Sequence, residues 1–140
     1  MSAERAHLLR LLWWGMACVV LGGTALVAVQ RRQPRPMLVW HFAVQTAAWG
    51  AVDVALVAAG WQSVRPRDVN GYQALREFLW LNVGLDVGYA GVGLALAACG
   101  WWLGRRAGLV GAGTGVVVQG LALLALDAWL LVVLNRMAVA

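Results

Sequence analysis

Three aspartates, Asp53, Asp86 and Asp127, stand inside long apolar stretches of this chain. A carboxylate deep in a membrane helix costs roughly 2.5–3.5 kcal/mol on insertion scales, so each one marks a candidate site by default. Carboxylates gathered at one depth repel one another when ionised, which suits them to hold a cation or to take up and release a proton. Other polar side chains keep them company. Gln45 and Gln119 each stand eight residues before an aspartate, Asp53 and Asp127 respectively. Asn82 and Tyr89 flank Asp86 at helical spacing, and Arg10 lies early in the first apolar run. These eight residues form the candidate polar core or ion site.

A plainer reading competes with that one. Polar side chains in membrane bundles often hydrogen-bond across helices, worth about 0.6 kcal/mol each on average. On this reading the aspartates are held by Trp49, Tyr89 or Arg10 and fix the register of the helices. His41, alone near a helix start and without a second histidine at ligand spacing, reads as an interfacial hydrogen-bonder, and His7 as a surface residue. The run Gly111-Ala112-Gly113-Thr114-Gly115 has the look of a phosphate-cradling loop, but no strand precedes it and no Lys-Ser/Thr follows. It reads as the close-packed start of a helix. No serine–histidine–acid set, haem-type histidine pair or metalloprotease helix is present, so no catalytic residue, metal or cofactor is assigned.

The elements that must position these residues follow from composition. The 140 residues are 62% hydrophobic and 12% charged, outside the usual soluble balance. Four apolar runs of spanning length, over about residues 8–29, 37–60, 78–103 and 109–134, account for most of the chain. The expected fold is a single all-α transmembrane domain, a four-helix bundle. Pro34 and Pro36 break the helix between the first two spans. Asn70 with Gln73 is the expected cap before span three. Trp13, Trp14, Trp40, Trp61, Trp80, Trp101 and Trp102 fall near expected helix ends, as an interfacial aromatic belt does. Cys18 and Cys99 read as small core residues, since both lie in apolar runs and no C-x-x-C pair exists. The first run is long enough to span and no A-x-A-like cleavage site follows it, so it is expected to be retained.

In this layout Asp53 and Asp127 come late in descending spans and Asp86 early in a rising one, so all three fall at similar depth, in the half nearest the N-terminus. On span three Asn82, Asp86, Tyr89 and Gly93 share one stripe, with Gly84, Gly88 and Gly91 opposite as a groove for close helix packing. A shift of about 74 residues lays Arg31-Arg32 on Arg105-Arg106, Val44-Gln45 on Val118-Gln119 and Asp53 on Asp127. Each half is then one helical hairpin, a parallel internal repeat.

The net charge of +5 resides in loops and helix ends. It fits a membrane surface and not nucleic acid, because no basic patch alternates with exposed aromatics. Six arginines on the N-terminal side face five on the other, which leaves the orientation open. The near balance also permits dual insertion as an antiparallel dimer, as in small multidrug exporters, but those carry an essential acid in the first span and this one has none.

The run Leu81-Asn82-Val83-Gly84-Leu85-Asp86-Val87-Gly88-Tyr89 resembles the N-x-G-L-D-x-G-Y hallmark of a family of small bacterial four-span membrane proteins known only as a domain of unknown function. Gly115 to Asp127, with Val118-Gln119-Gly120, resembles the family's last helix. Gln45 through Trp49 to Asp53 resembles its second, where the family more often has Asn near the position of Asp53. The resemblance covers nearly the whole chain and implies the same architecture in a bacterial inner membrane. It brings no activity, cofactor or catalytic residue. The expected function is a structural or accessory bundle with a polar core; the alternatives are a small cation- or proton-coupled transporter using Asp53, Asp86 and Asp127, and then an enzyme acting on a lipid or quinone. The expected partners are the lipid bilayer and either a second copy or another membrane protein.

Overall fold

The computed structural model describes residues 2–139. They form four α-helices, α1 (Ala3–Gln30), α2 (Met37–Trp61), α3 (Val69–Trp102) and α4 (Ala107–Val139), with no strand among the described residues. The shortest has 25 residues. At about 1.5 Å per residue it exceeds the ~30 Å hydrocarbon core, and all four are apolar enough to cross it. The chain is a multi-pass membrane protein by this measure.

α1 packs along α2 and α3 along α4; the two hairpins meet where α4 lies against α2, with a lighter contact between α4 and α1. The backbone of α3 approaches neither α1 nor α2. The central place of α4 follows from its glycines, which allow backbone contact on two sides. Gly111 and Gly115 lie against Leu38 and Gln45 of α2, whereas Gly113 and Gly120 lie against Gly93, Ala97 and Ala90 of α3. The glycine run of residues 111–115 is thus a packing surface.

Within the first hairpin the crossing is equally close. A Cβ on Gly22 would come within 2.6 Å of the Ala47 nitrogen, and one on Gly15 within 2.9 Å of the Gly50 oxygen. In the second, a Cβ on Gly93 would meet the Gly113 oxygen at 2.7 Å. Without a hydrophobic drive between helices in lipid, such van der Waals contact supplies much of the association energy. The 74-residue shift does not carry these contacts from one hairpin to the other: it lays Gly15 on Tyr89 and Gly22 on Leu96.

The packing face of α3 differs from the expected one. Gly84, Gly88 and Gly91 have no neighbouring atom within 4 Å of where a Cβ would stand. They lie exposed, while Asp86, Gly93 and Gly100 are buried. The polar stripe and the close-packed stripe are one and the same. Turning Asp86 inward, away from lipid, directs Gly84, Gly88 and Gly91 outward, and the cost of a lipid-facing carboxylate makes this rotation the favoured one.

Caps and turns complete the frame. Asp68, not Asn70, caps α3, its carboxylate accepting from the Gly71 N–H at 2.8 Å, and Gln73 donates instead to Glu77 at 3.3 Å. The aspartate stands one residue before the helix, where the free amides of its first turn need an acceptor. The tight α3–α4 turn places Gly104 and Arg105 at φ 84° and 54°, and the Arg106 N–H closes it on the Gly100 oxygen at 2.7 Å.

Candidate functional site

Two polar clusters form inside the bundle. In the first, the Trp14 indole N–H donates to Gln119 Oε1 at 3.1 Å, and the Gln119 amide donates in turn to Asp53 Oδ2. The Cys18 thiol lies 3.9 Å from the same Gln119 oxygen. This chain links α1, α4 and α2 through the part-buried Trp14 and the buried Gln119 and Asp53. Asp53 is 0% exposed, and its second oxygen, Oδ1, has no hydrogen-bond partner.

The second cluster lies nearer the N-terminal end. Asp127 of α4 stands 3.2 Å from Nε2 of His7 on α1, and both are buried. Beyond it, Arg67 of the α2–α3 loop grips Glu4 through two parallel contacts, Nε to Oε1 at 2.8 Å and Nη2 to Oε2 at 3.2 Å. The Glu4 carboxylate beside the Arg67 guanidinium pushes the arginine's pKa up, first through these hydrogen bonds and less through charge alone. Forked arginine–carboxylate pairs are also the geometrically most specific ion pairs.

Asp86 of α3 stands apart from both. It is 4% exposed, and its Oδ2 has no partner. Its backbone lies against Gly120, as Gln45 lies against Gly115. Counting along the helices from these contacts, Asp53 and Asp86 are about level, and Asp127 is about one turn, roughly 5 Å, closer to the N-terminal side.

All three aspartates line one cavity of about 730 Å³ whose walls come from α2 and α3, completed by α1, α4 and the α2–α3 loop. The absence of backbone contact between α2 and α3 makes room for it. Asn82 and Tyr89 line it too, as do Trp49, Phe78, Leu56 and Leu85. Trp49 and Tyr89 pack across the α2–α3 gap with ring centroids 5.1 Å apart and tilted by 59°. His7 and Arg67 are the basic side chains lining the cavity among the described residues, and each already faces an acid. No group of three or more His, Cys, Asp or Glu among the described residues could jointly hold a metal ion.

Other expected residues lie elsewhere. Arg10 is exposed and sits over the Trp129 ring at 5.9 Å, outside the lining of the carboxylate cavity. A guanidinium on a flexible stem reaches the interface at little cost, whereas a buried one needs a partner. Gln45 is half-buried against Gly115, outside the hydrogen-bonded chain that Gln119 forms. His41 bonds to the Met37 oxygen of its own helix at 3.1 Å. Cys99 is exposed and only Cys18 is buried. Trp14 turns inward instead of joining the belt.

The residue that sequence reasoning passed over is His7. Its signal was periodic: His7, Leu11, Gly15, Cys18 and Gly22 form the buried stripe of α1, and the stripe simply continues one turn past the apolar run.

A family model matches residues 10–128, a span that contains all three aspartates and Gln119 and begins after Glu4 and His7. The chain belongs to DUF6992, a family of unknown function. The DUF6992 match takes in most of the four helices, including every residue of the Trp14–Gln119–Asp53 chain. No curated protein and no solved structure matches the chain.

Proposed function

We propose that this protein is a small membrane transporter whose carboxylate-lined cavity binds a cation, with proton exchange at the same groups. The observation that carries the reading is the gathering of three buried aspartates on one cavity, with no basic side chain paired to Asp53 or Asp86. A purely structural polar core satisfies its buried acceptors, because leaving one unmet costs about 1–3 kcal/mol. Two buried aspartates on one cavity with no cationic partner of their own favour a ligand that brings the positive charge with it.

The structural or accessory reading keeps one observation in its favour. The Trp14–Gln119–Asp53 chain ties three helices together and would fix their register whether or not anything is carried. An enzyme reading gains no support from the arrangement, which lacks any nucleophile–base pairing.

The test is thermal stability of purified protein across pH and a panel of monovalent and divalent cations, with Asp86→Ala alongside. A saturable shift that the variant loses is expected, since a ligand that binds only the folded state raises its melting temperature. Identical melting in every ion and at every pH, with a variant that merely melts earlier, would assign the polar residues to register alone.

A further inference from the structure

We propose that the ligand of the cavity is a lipophilic organic cation that enters sideways from the bilayer between α2 and α3. This rests on the reading of the cavity as a cation site and specifies its substrate class.

Three observations point the same way. The first is size: about 730 Å³ falls within the range of sites for drug-sized ligands and far exceeds the needs of a bare ion. The carboxylates are also too dispersed to close around one, since no three acidic or metal-ligating side chains among the described residues gather at coordination distance. A charge spread over a large body asks for no such closure.

The second is lining chemistry. Most of the wall is apolar, from Leu56 of α2 to Leu85 of α3, with the aromatic rings of Trp49, Phe78 and Tyr89 set among it. Aromatic faces attract cations at ring-centroid distances up to about 6 Å, and do so most strongly where water is excluded. Asp53 and Asp86 set two carboxyl groups within the apolar wall, neither of them beside a basic side chain. An anion of equal size would meet the same wall and be repelled by the same oxygens.

The third is access. α3 makes backbone contact with α4 alone, so the α2–α3 side is closed by side chains such as Trp49 and Tyr89 and carries no backbone seal. The lining residues Val52, Leu56, Phe78 and Leu85 are 45–56% exposed, which places them at a rim facing lipid. At the N-terminal side, the Glu4–Arg67 pair stands across the aqueous end. A hydrophobic cation dissolved in the leaflet meets an open flank, while a hydrated one meets an ion pair.

The experiment uses the full chain in lipid nanodiscs and tetraphenylphosphonium as probe, read by quenching of tryptophan fluorescence and by equilibrium dialysis. Tetraphenylborate serves as the anion of the same shape. Saturable binding of the phosphonium but not the borate is expected, weakened at least tenfold by Asp86→Asn. Leu56→Trp, which adds bulk at the rim and removes no polar group, should weaken it comparably. Equal partition of both ions, or phosphonium binding unchanged in both variants, overturns the proposal. Sodium, potassium and proton titrations of stability on the same samples separate the two readings. A small-cation shift without phosphonium binding refutes the organic-cation ligand and leaves the cation site standing; no response to either refutes both.

Discussion

Gln119 of α4 donates its side-chain amide to Oδ2 of Asp53 on α2 while accepting the Trp14 indole N–H with its oxygen. One glutamine therefore orients a fully buried carboxylate and is itself held from a third helix. Gln119→Leu should lower stability by about 1–3 kcal/mol, because it strips a buried acid of its only side-chain donor. The double variant Gln119→Leu, Asp53→Leu should recover part of that loss, since replacing both partners by apolar groups is far cheaper than orphaning one. Melting curves of the two singles and the double give the coupling. Strict additivity would deny that the pair acts as a unit.

The His7–Asp127 contact makes a second, independent claim. His7→Gln keeps a side-chain amide near the acid and should hold stability near that of the parent. His7→Leu leaves Asp127 buried without its partner and should cost about 1–3 kcal/mol. Equal stability of both variants would mean that Asp127 finds another donor.

Glycines on the two sides of α3 and α1 should respond in opposite ways. Gly88→Ala meets nothing within 4 Å and replaces a poor helix former, so stability should be unchanged or rise by up to about 1 kcal/mol. Gly22→Leu drives atoms into the backbone of Ala47 and Ala43 and should prevent the first hairpin from closing. Cysteine cross-linking between α1 and α2 in membranes reports the closure. A normal cross-link in Gly22→Leu would contradict the packing described here.

The Glu4–Arg67 pair is largely buried, with side chains 14% and 28% exposed, so Glu4→Gln should cost about 1–3 kcal/mol. Its larger effect should be on access, read as faster labelling of Leu11→Cys, buried in the cavity lining, by a water-soluble maleimide. Arg67, with its pKa raised, contributes stability that is present throughout the working range and lost only as pH rises beyond the ordinary guanidinium range. Any step in stability between neutral and mildly alkaline pH must therefore come from other groups.

Much of this was legible in the chain itself. Hydropathy and length gave four helices, because a spanning segment must satisfy its own backbone and admits few alternatives. The cost of a lipid-facing carboxylate turned Asp53, Asp86 and Asp127 inward and so brought them to one cavity. The rotation of α3 was harder to read. Glycines spaced at four residues suit a helix contact or a bare lipid face equally well, and only the position of Asp86 decides between them. Arg10 and His7 exchanged expected places for a similar reason. A long cationic stem can reach the interface from inside a span, whereas an imidazole cannot and must be paired where it lies.

Each hairpin has close glycine contacts of its own: Gly15 and Gly22 are met by α2, and Gly93 and Gly100 by α4. Helices that leave the translocon in pairs can therefore dock before the other pair is made. The seam between them, α4 on α2, has its own glycines and a hydrogen bond in lipid to guide it. Two half-genes split within the α2–α3 loop should accordingly yield chains that insert separately and find each other in the membrane. The protein is built as two parts that meet late, and the cavity exists only once they have met.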